Sequence, residues 1–506
     1  MARMWEAESG VWTPESVRTL DRTATNAFGI SGYELMTRAA EAVCAAVSTA
    51  CPAARRWVVL CGGGNNAGDG YVIARLARRA GLEVRVCALA DPAKLPGDAA
   101  TAWRDFAADG GALTAFAPEV LTGTELVIDA ILGIGLARPV TGNIFTAIEA
   151  VNRTGLPVVA VDIPSGLDAT TGLPLGAAVR ADLTVTFVGR KLGLYLGEGR
   201  AYTGRVEFVD LGIPRAVVAS AGLAGGARLR LFAAGDLLRL LPRRSATAHK
   251  GEFGHVLVIG GNHGMSGAVR LAGEAALRSG AGLVSVATRP AQAALLPLVR
   301  PELMCHGIDD PADIVPLLAR ATVVAIGPGL GQDAWARALL AAVLATPLPL
   351  VVDADALNLL AGSPSQRQNW ILTPHPGEAG RLLGRSSADV QHDRLGALSA
   401  LHQRYGGTVV LKGSGTLVTG ARPPPWLITT GNPGMATAGM GDVLTGVIAG
   451  LFAQAAGTLE GSASVAELAA AAVFVHGAAG DAAARTGERG VVASDVLANL
   501  QSCLNP

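Results

Sequence analysis

Two stretches of this chain set residues that can do chemistry beside loops able to hold an anion. The first is Gly431-Asn432-Pro433-Gly434-Met435-Ala436-Thr437-Ala438-Gly439-Met440-Gly441-Asp442. Apolar residues then recur at 443, 444, 447, 448, 451 and 452, the spacing of one buried helical face. Asp442 therefore stands at a helix start, where a short acidic side chain makes a good N-cap. The unpaired N–H groups of such a start attract anions. Glycines at 439 and 441 let the backbone approach a phosphate with no Cβ in the way. Amides that hold a phosphoryl group, with a carboxylate to take the proton of an attacking hydroxyl, are equipment for phosphoryl transfer. An isolated Gly-x-Gly-Asp is more often a capped turn, so the rest of the chain has to decide.

The second stretch is Gly62-Gly63-Gly64-Asn65-Asn66-Ala67-Gly68-Asp69-Gly70, directly after the strand-like run 56–61. Strand, glycine loop and helix form the phosphate- or nucleotide-binding turn of doubly wound folds. The spacing is not Gly-x-Gly-x-x-Gly, and no Walker lysine follows, so neither standard fingerprint is present. Asp129 and Asp162 end two further strand-like runs, 126–131 and 158–163, and Ser165 follows the second. Ligands of open parallel sheets bind at the carboxyl ends of strands, so Asn66, Asp129, Asp162 and Ser165 are expected to face one crevice. Their hard oxygens suit a cation. One aspartate after a strand usually caps the next turn; two beside an Asn-Asn loop favour a site.

The elements that must position these groups alternate along the chain. Helices are expected over 14–27 and 31–50, and strands over 83–87, 181–188 and 206–209. Beyond 228 the strands are 255–259, 283–287, 322–327, 349–353, 370–373, 408–412 and 416–419. Helices are expected over 266–279, 290–299, 333–346, 376–384 and 390–404. Such alternation implies parallel sheets covered on both faces. The Gly/Ala-rich stretch 216–228 suits a linker, which places a boundary near 222 and gives two α/β domains, 1–222 and 223–506. In the second, Gly327-Pro328-Gly329-Leu330-Gly331, Asp353 to Asn358, Thr373 to Glu378 (with His375) and Lys412-Gly413-Ser414-Gly415-Thr416 all follow strands on one side of the sheet.

Composition excludes several classes. The chain has 506 residues, 50% hydrophobic and 16% charged, with formal net charge +0. That balance argues against nucleic acid and anionic membranes as partners. The N-terminal 1–8 has no apolar core of a signal peptide, and the longest apolar stretches are broken before they could span a bilayer. Six cysteines without a Cys-x-x-Cys pair argue against zinc or a disulfide framework and for a reducing cytoplasm.

Residues 1 to about 220 resemble the NAD(P)H-hydrate epimerase family. The resemblance rests on Leu20-Asp21-Arg22, Gly29-Ile30-Ser31-Gly32, Glu34-Leu35-Met36, the 62–70 loop, 129–138 and 162–168. It implies a Rossmann-like three-layer αβα domain. It also implies that the hydrated nicotinamide nucleotide is gripped by Asn65, Asn66, Ala67, Gly68 and Asp69 and by Gly133, Ile134, Gly135, Leu136, Ala137, Arg138 and Pro139. Asn66, Asp129 and Ser165 match the ligands of a potassium ion, and Asp162 matches the acid/base at the reacting ring. Ala67 stands where the family usually has glycine; a positive φ there would cost roughly 1–2 kcal/mol.

Residues of about 228 to 500 resemble the ribokinase-like fold and, more narrowly, the ADP-dependent NAD(P)H-hydrate dehydratases. The carrying motifs include His249-Lys250-Gly251, Ser266-Gly267-Ala268, 327–331, 353–358, 373–378, 412–416 and 431–446. The resemblance implies hydrate contacts at Ala268, Gly329, His375 and Asp442. It implies an adenine-nucleotide site at Lys412, Gly413, Ser414, Gly415, Thr416 and Gly441, with Asp442 as catalytic base and Mg2+ accompanying ADP. The implied chemistry is repair of NADH or NADPH hydrated at C6: epimerisation of the R and S hydrates, then dehydration of the S form with ADP, giving AMP and phosphate. A homo-oligomer is expected. The rival readings are a sugar or vitamin kinase with an appended domain, since Gly-x-Gly-Asp is shared across that fold, and a non-catalytic nucleotide sensor for the first half.

Overall fold

Short β-branched runs separated by glycine turns become strands of two parallel sheets in a computed structural model, one in each of two compact units, Met1–Arg230 and Leu231–Pro506. The structure describes residues 9–241, 243–419, 424–458 and 465–505. The 1–8 stretch, read above as lacking a signal peptide, lies outside them.

In the first unit, β1 is Gly10–Trp12, β2 Arg56–Cys61, β3 Glu83–Ala88, β4 Leu126–Ala130, β5 Val158–Val161, β6 Leu183–Phe187, β7 Arg190–Lys191 and β8 Arg205–Val209. The main sheet has the order β3-β2-β4-β5-β6-β8, with every pair parallel. Along β2 the side chains alternate: Trp57, Val59 and Cys61 enter one core, Val58 and Leu60 the other. Both faces are thus covered, as an all-parallel sheet requires. Helix Pro14–Phe28 is capped by the Thr13 hydroxyl, which accepts from the Ser16 N–H, and Gly32–Ala50 by Ser31, which accepts from Glu34. The two-residue strand β7 has no period to detect, and the sequence did not indicate it. It runs parallel to β1, with Lys191 opposite Trp12.

Residues 216–228 are not a bare linker. Ala216–Ser220 is helical, with Val217 and Val218 in the first core, and the Arg228 N–H donates to the Val11 carbonyl. A short strand β9, Leu229–Leu231, then pairs antiparallel with β1.

The second unit holds β10 His255–Ile259, β11 Leu283–Thr288, β12 Met304–Gly307, β13 Val323–Ile326, β14 Leu350–Val352, β15 Trp370–Leu372, β16 Thr408–Leu411, β17 Thr416–Thr419 and β18 Trp426–Ile428. Their order is β12-β11-β10-β13-β14-β15-β16-β17-β18. The sheet is parallel up to β16 and antiparallel from β16 to β18. That hairpin edge departs from the expected all-parallel sheet because the 412–416 turn is too short for a crossover. The expected helix over 290–299 is two short pieces, Pro290–Ala293 and Leu296–Val299, and that over 390–404 is Ser387–His392 followed by Arg394–Tyr405.

Helices Ser266–Arg278, Met440–Thr458 and Val465–Ala483 close one face over Val256, Val258, Val323, Ala325, Val351 and Val410. By length and composition the Val465 helix could cross a bilayer, contrary to the expectation from broken apolar stretches. Most of it is buried in this core, where an all-round apolar helix belongs.

Candidate active sites

In the first unit the carboxyl ends of β2, β4 and β5 open on a cavity of about 910 Å³. Asn65 and Asn66 reach it from the first turn of helix Asn65–Arg79 and Asp69 from the next turn, not from a loop as the sequence suggested. Ala67 lies inside that helix and is not among the positive-φ residues, so the strain considered for it does not arise. Ala67 and Gly68 face away from the cavity. A Cβ at Gly68 would lie 2.6 Å from Met36 Cε and 2.9 Å from Ala99 Cα, so this glycine serves helix packing. Gly133, Ile134, Gly135, Leu136, Ala137 and Arg138 line the opposite wall, and Pro139 does not. The Arg18 guanidinium holds that wall by donating to the Ile134 carbonyl at 2.8 Å.

Asp129 and Ser165 are fully buried below this cavity rather than facing it. The Ser165 N–H donates to Asp129 Oδ2 at 2.8 Å, and the Ser165 hydroxyl lies 2.5 Å from Asp129 Oδ1. Leu132, which does line the cavity, binds Ser165 through its N–H and the Asn66 amide through its carbonyl, at 2.8 and 3.0 Å. Burial pushes the Asp129 carboxyl up to about 6, against the hydrogen bonds from Ser165 and Ile131.

Asp162 sits where β5 ends, at φ 68, a left-handed conformation that costs a non-glycine residue about 1–2 kcal/mol. Its N–H donates to the Val185 carbonyl at 2.7 Å. Its Oδ1 accepts from the Phe187 N–H and the Thr186 hydroxyl, both at 3.2 Å, and from the Lys191 ammonium. Asp21 and Asp69 stand close by in the same wall. Burial raises Asp21 to about 6, with Lys191 pulling the other way, and raises Asp69 well above the usual carboxylate range.

In the second unit a cavity of about 410 Å³ is lined by Asp353, Ala354, His375, Pro376, Glu378, Lys412, Gly413, Gly439, Gly441 and Asp442. Helix Met440–Thr458 begins before Asp442, and the Val443 N–H donating to Gly439 is its first bond. Asp442 is therefore in the first turn and not the N-cap expected from sequence. The N–H groups of Met440, Gly441 and Asp442 precede the helical ladder. Gly439 has φ 86, and a Cβ there would meet Leu271 Cδ1 at 2.7 Å and Ala493 Cβ at 3.0 Å. Only glycine fits this turn.

Lys412 Nζ donates to Asp353 Oδ1 at 2.7 Å and lies 3.7 Å from Glu378 Oε2. Burial works against the lysine charge, but the Asp353 and Glu378 carboxylates outweigh it and hold its pKa above the ordinary value. The Thr373 and Thr445 hydroxyls donate to the two Asp353 oxygens at 2.7 and 2.8 Å. The Asp442 carboxylate has no hydrogen-bond partner among the described residues. Burial, then the neighbouring Asp353 charge, pushes it up to about 7, with Lys412 opposing. His375 caps helix Pro376–Leu383, its Nδ1 accepting from the Gly377 and Glu378 N–H groups. Burial lowers its pKa, with the Glu378 charge opposing.

Residues 256–502 match a family model described as NAD(P)H-hydrate dehydratase, and residues 32–193 match the YjeF-related protein N-terminus. A bifunctional NAD(P)H-hydrate repair enzyme of Coxiella burnetii is 48% identical over 97% of this chain and 98% of its own length. The chain belongs to that family. The Escherichia coli repair enzyme is 45% identical, over 98% of this chain and 94% of its own. A solved ribokinase-like superfamily protein of Enterococcus faecalis is 32% identical with TM-score 0.50, covering 55% of this chain and 95% of its own.

Within this repair enzyme, the structure brings most but not all of the sequence-selected residues together. Ala268 and Gly329 lie against each other, a Cβ on Gly329 falling 3.1 Å from that of Ala268, but neither lines the Asp442 cavity. Ser414 and Gly415, in the turn to β17, and Thr416, the strand's first residue, also stand outside the cavity lining. Among the participants that had not been given a role are Lys191, Asp21, Glu378 and Thr445. Asp21 lay within a recognised stretch and Glu378 followed His375, so a signal existed for both. Lys191 and Thr445 reach their carboxylates only through the fold.

Proposed function

We propose that the first unit epimerises the hydrates at Asp162 and that the second dehydrates the S form at Asp442. The observation that carries this reading is Asp442 itself: an unpaired carboxylate raised to about 7, beside free helix N–H groups and the Lys412 ammonium. A base with that pKa is matched to a proton transfer at neutral pH. Asp442 takes the proton of the C6 hydroxyl while its oxygen bonds to the β-phosphorus of ADP, and AMP leaves with the bridging oxygen. The N–H groups of Gly441 and Asp442 and Lys412 neutralise the moving phosphoryl. Phosphate is then expelled by the ring-nitrogen lone pair, C5 releases a proton, and NADH or NADPH is restored. Mg2+ belongs with the nucleotide in this reading. Among the described residues no three His, Cys, Asp or Glu side chains gather into a metal cluster; the ion would be held chiefly by phosphates and, when bound, would neutralise their charge.

In the first unit, the fit to potassium rests on Asp129. It is a fully buried carboxylate bonded to Ser165, whose hydroxyl also reaches the Leu132 carbonyl that accepts from the Asn66 amide, and no cationic side chain lies against it among the described residues. Hard, mostly neutral oxygens around one carboxylate suit a monovalent cation. When bound, that ion would supply the missing positive charge under the Leu132–Gly133 wall. The C6 hydroxyl proton passes through Asp162 to N1 as the C6–N1 bond opens to an aldehyde, and the reverse transfer recloses the ring on either face of C6. All six cysteines are free, which supports the cytoplasm as the compartment.

The test is a mixed-epimer NADH hydrate incubated with the protein, ADP and Mg2+, followed by absorbance of the reduced nicotinamide. Near-complete recovery is expected. A stable phosphorylated product instead of NADH would establish the kinase alternative.

A further inference from the structure

The Asp162 carboxylate is occupied very unequally. Oδ1 accepts from the Lys191 ammonium, the Thr186 hydroxyl and the Phe187 N–H, whereas Oδ2 has no partner among the described residues. Lys191 is only 1% exposed, and its remaining donors go to Thr186 Oγ1 at 3.1 Å and the Phe187 carbonyl at 2.9 Å. Its ammonium is thus satisfied at three points and cannot swing. Asp21 and Asp69 stand near this pair in the wall of the 910 Å³ cavity, and both feel the Lys191 charge. A buried lysine is retained against its desolvation only where it is paired, and here the pairing selects one oxygen of one aspartate.

We infer that Lys191 is a positioning residue for epimerisation: it clamps Asp162 Oδ1 and so presents Oδ2 to the C6 hydroxyl. This rests on the epimerase reading of the first unit and adds to it the residue that sets the geometry of its base. The strand pair β1–β7 delivers the clamp, because Lys191 is in register with Trp12 and both are buried. The charged groups facing Asp162 come from three elements: Asp21 on helix Pro14–Phe28, Asp69 on helix Asn65–Arg79 and Lys191 on β7. Removing the ammonium takes away both the clamp on Oδ1 and the positive charge beside it.

The experiment compares wild type, Lys191→Met and Lys191→Arg in the R-to-S epimerisation of NADH hydrate, with ADP-dependent recovery of pure S hydrate as a check that the second unit is intact. Lys191→Met is expected to lower epimerisation kcat by roughly 100-fold with KM changed less than threefold. Its acid limb of kcat is expected to move to higher pH, and Lys191→Arg to regain part of the rate. The same comparison made in an Asp21→Asn background removes the Asp21 titration, and the limb shift is expected to persist there. A Lys191→Met protein with wild-type kcat, or one slowed with its acid limb unmoved, overturns the inference. Absence of epimerisation by wild type would instead overturn the epimerase reading itself.

Discussion

The Asp442→Asn substitution should raise stability while abolishing dehydration, and the two effects have one cause. Folding lifts the Asp442 carboxyl from 3.8 to about 7. A group whose folded pKa is raised loses stability as pH climbs from the unfolded value to the folded one, and the full penalty is present above about pH 7. About three pKa units at 1.36 kcal/mol each give roughly 4 kcal/mol. Asp442 is only partly buried, and solvent screening reduces this to about 2 kcal/mol. Asparagine keeps the shape and removes the titration. Thermal unfolding at pH 8 should therefore show the variant more stable by about 2 kcal/mol, a shift of several degrees, with the difference shrinking towards zero near pH 4. Dehydration of pure S hydrate should fall by about 10²–10⁴-fold with loss of the general base, and the wild-type rate should rise with pH through about 7. A variant equally stabilised at pH 4 and pH 8, or one that keeps wild-type dehydration, would refute this account of Asp442.

Asp162→Asn should leave dehydration of S hydrate intact, so recovery from a mixed-epimer substrate stops at the S fraction; full recovery at the wild-type rate would remove Asp162 from the mechanism. Replacing potassium by tetramethylammonium should slow epimerisation but not dehydration of S hydrate, since the oxygens around Asp129 belong to the first unit alone. Equal loss of both activities would contradict that assignment. Gly439→Ala should destabilise the second unit by about 1–3 kcal/mol, because the added Cβ meets Leu271 and Ala493 at φ 86. Urea unfolding together with the dehydration rate measures this, and a neutral result would show that the turn tolerates a side chain.

The sequence alone determined the order of elements, the glycine turns after strands and the aspartates at strand ends. These are local: a β-branched run buried on both faces, then a glycine where the chain must turn, leaves its polar residue at the carboxyl edge of a parallel sheet. Hence Asn66, Asp162, His375, Lys412 and Asp442 were found, along with the family. What surrounds each of them was decided only in three dimensions. The 62–70 segment has loop-like composition, yet Asn65 begins a helix because Gly68 and Gly70 let it pack closely on Met36, Ala99 and Ala130. Asp129 was expected in a crevice and is instead beneath its floor, since Ser165 and Leu132 fold over it. Lys191 meets Asp162 across 29 residues through a two-residue strand with no sequence period. Asp442 carries its proton near pH 7 because burial and Asp353, which folding brings close, withhold solvent and oppose its charge. Residue type supplies a carboxylate; desolvation and neighbours, which no local pattern encodes, decide whether it is a ligand, a clamp or a base.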